Sequence, residues 1–219
     1  SHPPFFPSIP MPDFFDEGRP HEGLRYEDYR ADWKRRTETG PSPRAEASER
    51  RMHHYLNYNW ERQAQVHDAY TPSEGLRAAV ATVEAPQLWM VLTEPWCGDS
   101  AFLLPVVAEA AGLSDSVALR ILPRDENLDV MDQYLTDGSR SIPKLVAFSE
   151  EGTELFTWGP RPAPAAERFE ALQEEYDDKS ALIETFLDHY EAGGWRAADA
   201  ELAEAVQSVT SHPTEALGE

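Results

Sequence analysis

Sulfur and lysine are scarce in this chain. Its 219 residues include one cysteine, Cys97, and three lysines, Lys34, Lys144 and Lys179. A single thiol excludes a self-contained dithiol–disulfide cycle, which needs two sulfurs. Long apolar runs are also missing: no stretch approaches the ~18 residues that would suggest a membrane span, and the start carries no basic–apolar–small leader pattern. There is no phosphate loop, nucleotide fingerprint or Ser-His-Asp arrangement, so no cofactor is expected. His53, His54 and His67 form no spaced ligand set, because adjacent helical residues point apart, and no metal is expected either.

What is abundant is negative charge. Forty acidic residues face nineteen basic ones, a formal net charge of −21, and the carboxylates are spread along the whole chain. Such a surface repels phosphate backbones, which excludes nucleic acid as a partner class. An even excess of Asp and Glu with little Lys suits a protein kept soluble in concentrated salt, where the screening length falls to roughly 3 Å at 1 M. A hydrophobic content of 41% with 11% aromatics is enough for a sizeable core. The expectation is a cytoplasmic protein of unknown oligomeric state with no membrane partner.

The pattern along the chain changes rhythm twice. Residues 1–22 are rich in Pro and Phe, which argues against regular helix and for a segment draped over the domain. Short helical spacing follows from Tyr26 to Arg36, broken at 39–43. A long helix is expected from Ala45 to Tyr70, with Met52, Tyr55, Leu56, Trp60 and Val66 as one buried stripe. Ser73 reads as the N-cap of a helix reaching about Val83. The centre then alternates strand and helix: strands at 87–93 and 117–122, each followed by a helix. The second of these helices carries Leu128, Met131, Tyr134 and Leu135 and is closed by Gly138. A hairpin of 144–149 and 154–158 comes next, then a helix over roughly 163–177. Leu182, Ile183, Phe186, Leu187 and Tyr190 mark another helix, Gly193-Gly194 breaks it, and Trp195 to Val206 suits a last one.

This βαβαββα order, with Trp96-Cys97-Gly98-Asp99-Ser100 between the first strand and its helix, resembles the thioredoxin fold. A second landmark agrees: Ser141-Ile142-Pro143-Lys144-Leu145 stands before the third strand, where thioredoxin-like proteins carry a cis-proline. More closely, the chain is similar over roughly residues 24–207 to a small bacterial group called simply "thioredoxin family protein", with a WCGD(S/A/C)-type site. The motifs that carry the likeness are TEPWCGDS, LRILPRDENLDVMDQYLTDGSRSIPKL and TWGPRP, in that order. The resemblance implies an α/β protein with a central mixed sheet and extra N- and C-terminal helices. The expected division is a Pro/Phe-rich segment and helical extension over 1–71, a thioredoxin-like domain over 72–178, and a C-terminal extension over 179–219 packing on the same domain.

It also implies a site. Cys97 falls at a helix N-terminus, where unpaired N–H groups and the macrodipole favour a thiolate. Two departures bear on mechanism. Ser100 stands where dithiol thioredoxins place their resolving cysteine, and Val91 stands where they bury an aspartate as proton acceptor. Both parts of the resolving step are therefore missing together. A monothiol cycle survives, in which Cys97 forms a mixed disulfide with a protein or small-molecule disulfide and an external thiol resolves it. Ser100 is the expected donor to the thiolate, and Arg140 or Lys144 the expected positive charge for a small thiol. Asp99 opposes a thiolate or serves as a helix-start carboxylate. The other surviving reading is a redox-inactive module that pairs an extended peptide with Ile142 beside Pro143. Its apolar rim would be Trp96, Ile142 and the Trp158-Gly159-Pro160 turn, with Gly98 and Asp99 lining it. In the Arg124–Asn127 stretch, Asp125 or Asn127 is expected to cap the following helix.

Overall fold

The computed structural model describes residues 11–210. In chain order the elements are α1 (Asp13–Asp16), α2 (Tyr26–Thr39), α3 (Ala47–Ala69), α4 (Glu74–Val80), β1 (Gln87–Thr93), α5 (Gly98–Ala111), β2 (Val117–Pro123), α6 (Leu128–Met131), β3 (Lys144–Ser149), β4 (Glu154–Trp158), α7 (Ala163–Glu175), α8 (Lys179–Glu191) and α9 (Ala197–Thr210). The sheet runs β2-β1-β3-β4. β1 and β2 are parallel through the α5 crossover, while β1–β3 and β3–β4 are antiparallel. The mixed sheet and the βαβαββα order are those of a thioredoxin-like fold with added helices.

Side-chain alternation along β1 builds two cores. Trp89 and Val91 face α2–α5 and α7–α9, and Leu88, Met90 and Leu92 face the other way, toward Phe14, Phe15, Val130 and Met131. All seven residues of β1 are buried as a result. A strand covered on both faces reads as a continuous apolar run, which is what QLWMVLT shows. The Pro/Phe-rich segment closes the second core. Its residues 13–16 form a single helical turn, where none was expected, so that Phe14 and Phe15 can both reach Phe148, at 6.1 and 5.0 Å between ring centroids. Phe5 and Phe6 lie outside the described residues. The outer edge of β2 is met by Leu24, which exchanges both backbone hydrogen bonds with Ile121.

Two helices differ from expectation. In α3 the buried face is Leu56, Asn59, Gln63 and Val66. Met52 and Tyr55 are exposed, at 40% and 46%, while the buried face holds two amides, Asn59 donating to the Pro95 carbonyl and Gln63 accepting from Arg30 of α2. The helix expected to run to Gly138 stops at Met131. Thr136 and Ser139 exchange backbone hydrogen bonds in a tight turn, with Asp137 and Gly138 at positive φ, and this removes the chain from the helix and leaves Leu128 and Leu135 exposed. Ser73 does cap α4, accepting from the Leu76 N–H at 3.1 Å. Asp199 then fixes that cap to α9: its carboxylate accepts from Tyr70 Oη at 2.6 Å, from the Ser73 N–H at 2.9 Å and from the Ser73 hydroxyl.

No helix among the described residues is long and apolar enough to cross a membrane. Eight ion pairs join described residues, so most of the acidic residues described form no ion pair. Self-repulsion among exposed carboxylates is screened by salt, while apolar burial is not weakened by it. The melting temperature is therefore expected to rise between ~0.05 M and ~2 M sodium chloride. Equal midpoints in the two thermal melts, or a lower one at high salt, would reject salt adaptation.

Candidate functional site

The site is assembled where β1 runs into α5. Cys97 occupies the N-cap position with extended backbone (φ −82°, ψ 121°), and its carbonyl accepts from the Ala101 N–H at 3.1 Å. The Ile142–Pro143 peptide bond is cis, and the Cys97 thiol donates to the Ile142 carbonyl at 3.4 Å. Residues 45 positions apart in the chain thus meet at the sulfur. Ser100, one turn into α5 and 2% exposed, accepts from the Thr93 hydroxyl at 2.7 Å. That bond uses an oxygen lone pair on Ser100 and leaves its own proton for the sulfur. Both the hydroxyl and the backbone N–H of Ser100 act on Cys97 in the sense that favours thiolate.

The resting thiol is nevertheless protonated. Cys97 is 8% exposed, and burial, followed by the negative charge of Asp99, pushes its pKa up to about 11 against the opposing pull of Ser100 and Arg161. This departs from the thiolate expected at a helix N-terminus. Desolvation disfavours the charged sulfur, and here it outweighs the donors of the first helical turn.

Asp99 is held away from any ligand. Arg161 grips it with Nε at 2.8 Å and Nη2 at 2.9 Å, and Tyr190 Oη donates to it at 2.8 Å. The Arg161 guanidinium is stacked over Phe169 and Phe186, at 3.7 and 4.8 Å from their centroids. Gly98 lies under α8: a Cβ there would come within 2.9 Å of Leu187. Trp96 is half-buried, with Arg124 stacked on it at 4.8 Å and its Nε1 donating to Asp125 at 3.3 Å. Asp125 is thus engaged by Trp96 and Arg124 and caps no helix, while Asn127 donates to the Pro123 carbonyl.

Several residues expected in the groove are elsewhere. Trp158 lies in the core on the opposite face of the sheet, paired with Leu145, with Nε1 donating to Glu201 at 2.8 Å. The alternation of β4 places it there with Phe156, so it forms no rim beside Cys97. Arg140 is ion-paired with Asp132 at 2.6 and 2.9 Å. Lys144 is buried, with Nζ donating to Thr136 and to the Gly159 carbonyl, and desolvation lowers its pKa. Neither cation is free to receive the carboxylates of a small thiol. Ile142 is 5% exposed, and its N–H has no partner among the described residues. No group of three or more His, Cys, Asp or Glu able to hold a metal occurs among the described residues.

Sequence reasoning missed four contributors. Asn59 of α3 is 1% exposed and donates to the Pro95 carbonyl at 3.1 Å, holding the loop before Cys97. Glu94 is 8% exposed and accepts from the Asp125 N–H at 2.8 Å. Arg161 and Tyr190 complete the grip on Asp99. Glu94 and Arg161 stand inside the TEPWCGDS and TWGPRP stretches, where their presence was a signal; Asn59 and Tyr190 gave none.

Sheet order, crossover, a cysteine at the first helix and a cis-proline opposite it define a thioredoxin-fold protein. The profile of the family described as Thioredoxin matches residues 46–177, and the chain belongs to that family. Two solved structures share the fold. One is a crystal structure of an HIV epitope scaffold, with 16% identity and a TM-score of 0.56, covering 87% of this chain and 96% of that one. The other is a protein of unknown function from Pseudomonas aeruginosa, with 17% identity and a TM-score of 0.50, covering 84% and 98%. No curated protein matches the chain.

Two predictions follow from the charges. Asp99→Asn removes a negative charge beside the sulfur and frees the Arg161 cation, so the Cys97 pKa should fall and alkylation at pH 8 should quicken at least tenfold. Loss of the half-buried pair should cost about 2 kcal/mol of stability. An unchanged alkylation rate would mean that Asp99 does not act on the thiol. Burial raises the pKa of Glu94. Stability from that group is therefore full below the ordinary carboxylate value and is lost as pH rises through the raised one. Glu94→Gln should gain on wild type in denaturant midpoint between pH 4 and pH 7; a constant difference would contradict it.

Proposed function

We propose that this is a monothiol thioredoxin-like protein that exchanges Cys97 with protein or small-molecule disulfides. The observation that carries the reading is the meeting of the Cys97 thiol with the Ile142 carbonyl beside the cis Ile142–Pro143 bond, with Ser100 acting on the sulfur in the sense that favours thiolate. In the first step the Cys97 thiolate attacks one sulfur of the substrate; the S–S bond breaks, and the departing thiolate takes a proton from water. An external thiolate then attacks the substrate sulfur of the mixed disulfide, so Cys97 leaves as thiolate and a new disulfide carries the substrate away; a second external thiolate releases the substrate as a thiol and completes the two-electron reduction. A reducing compartment such as the cytoplasm provides both external thiolates, and no cofactor takes part. The reacting unit in this reading is 72–178, with 1–71 and 179–219 as extensions. With a pKa of about 11, only roughly one molecule in ten thousand holds a thiolate at pH 7, so exchange is slow until the site opens.

That same burial favours a second reading, a redox-inactive module that pairs an extended peptide with the free Ile142 N–H. Incubation with excess small disulfide separates the two. Mass spectrometry should show a single mixed-disulfide adduct on native protein, absent in Cys97→Ser and released by added thiol, with no insulin reduction in its absence. No adduct on the native protein would sink the exchange reading and leave the peptide module.

A further inference from the structure

Positive charge is gathered in one place. Residues 34–51, from the end of α2 to the start of α3, carry six of the nineteen basic residues and three of the forty acidic ones. Lys34 pairs with Glu38 at 3.9 Å and Arg35 with Asp32. Arg36, Arg44, Arg50 and Arg51 are exposed and form no ion pair among the described residues. In a chain with about two carboxylates for every cation, four unpaired arginines so close together are a local exception.

The two helices open there into a cleft of about 410 Å³, lined among others by Arg35, Arg36, Glu49, Met52, His53 and Leu56. That volume lies within the roughly 300–1,000 Å³ of ligand sites. Met52, at the lip of the cleft, leads to Tyr55 and Tyr58, and all three are exposed. Arg51, Tyr55 and Tyr58 share one side of α3 by their i, i+4, i+7 spacing. Tyr58 is held in place by His54 edge-on at 4.4 Å and by Arg62 stacked at 5.7 Å.

We propose that the end of α2 and this exposed side of α3 form a docking surface for an acidic segment of a partner protein, with apolar side chains between its carboxylates. Arg36 and Arg51 bind the carboxylates, and Met52, Leu56, Tyr55 and Tyr58 take the apolar side chains. Charge chooses the occupant. A long phosphate backbone runs off the patch onto the acidic remainder, and a second copy brings −21 of its own. A short acidic segment stays within the patch. Leu56 stands one turn before Asn59, which holds the Pro95 carbonyl, so the partner sits on the stretch of α3 that also holds the loop before Cys97.

Fluorescence anisotropy of the full chain with a fluorescein-labelled peptide of alternating glutamate and leucine tests the surface, with thermal melts of each variant alongside. The peptide should bind wild type saturably and bind the double variant Arg36→Gln, Arg51→Gln about tenfold more weakly. Met52→Ser should weaken it too, while Arg168→Gln on α7 leaves it unchanged. Absence of saturable binding, equal binding by the double variant, or equal binding of a lysine–leucine peptide would overturn the proposal. Tighter binding of a single-stranded oligonucleotide would do the same by giving the face to nucleic acid. A concentration-dependent dimer in ultracentrifugation, lost in the double variant, would give it to a second copy instead. None of these readouts involves a disulfide, so their outcome is separate from that of the exchange reading.

Discussion

The site depends on one carboxylate. Asp99 begins α5, where a negative charge suits the helix N-terminus, yet it sits beside a sulfur that must become an anion to react. Arg161 and Tyr190 resolve that conflict by binding it from two other elements. Their bonds join the start of α5, the loop after the Gly159–Pro160 bond and α8 at a single point. The aromatic rings of Phe169 and Phe186 beneath the guanidinium shield the pair from water, which strengthens it. Gly98 gives close approach in the same place: a Cβ there would press on the Leu187 side chain of α8, which would have to shift.

Closing the site in this way trades thiolate for order. Helix N–H groups, the Ser100 hydroxyl and Arg161 all favour a charged sulfur, but each acts over a short range, and burial opposes them over the whole side chain. The balance favours the thiol, and its proton is used to hold the Ile142 carbonyl. Burial keeps the thiol neutral, and the neutral thiol in turn occupies the Ile142 carbonyl beside the cis-proline.

The fold was legible because its signals are redundant. β1 and β3 are apolar runs of strand length, Ser73 caps where a cap was expected, and Cys97 and Pro143 mark the two sides of one groove. What misled was periodicity without context. Met52 and Tyr55 fit a helical stripe but face solvent, while the face that is buried carries Asn59 and Gln63, bonded to Pro95 and Arg30 of other elements. Trp158 stands in a stretch shared with the resembled group, yet strand alternation sends it to the other side of the sheet. The positive charges expected at the groove were real but already committed: Arg140 to Asp132, Lys144 to Thr136 and Gly159. A sequence shows that a cation is present, not whether an anion nearer to it has taken it.

Two contributors to this site, Leu187 and Tyr190, lie beyond the segment that identifies the family. The match spans 46–177, and both residues follow it. The matched core supplies the sulfur, its Ser100 partner and the cis-proline. The added helix α8 supplies the third hydrogen bond to Asp99 and the cover on Gly98. α3, through Asn59 on the Pro95 carbonyl, and α8, through Leu187 over Gly98, close on the loop that carries Cys97. Because desolvation is the largest influence on Cys97, the helices that control it govern the thiol more than the second position of its own motif does. In the proposed exchange reading, a single thiol can hold only a mixed disulfide, and the packing around it sets how readily that thiol is reached.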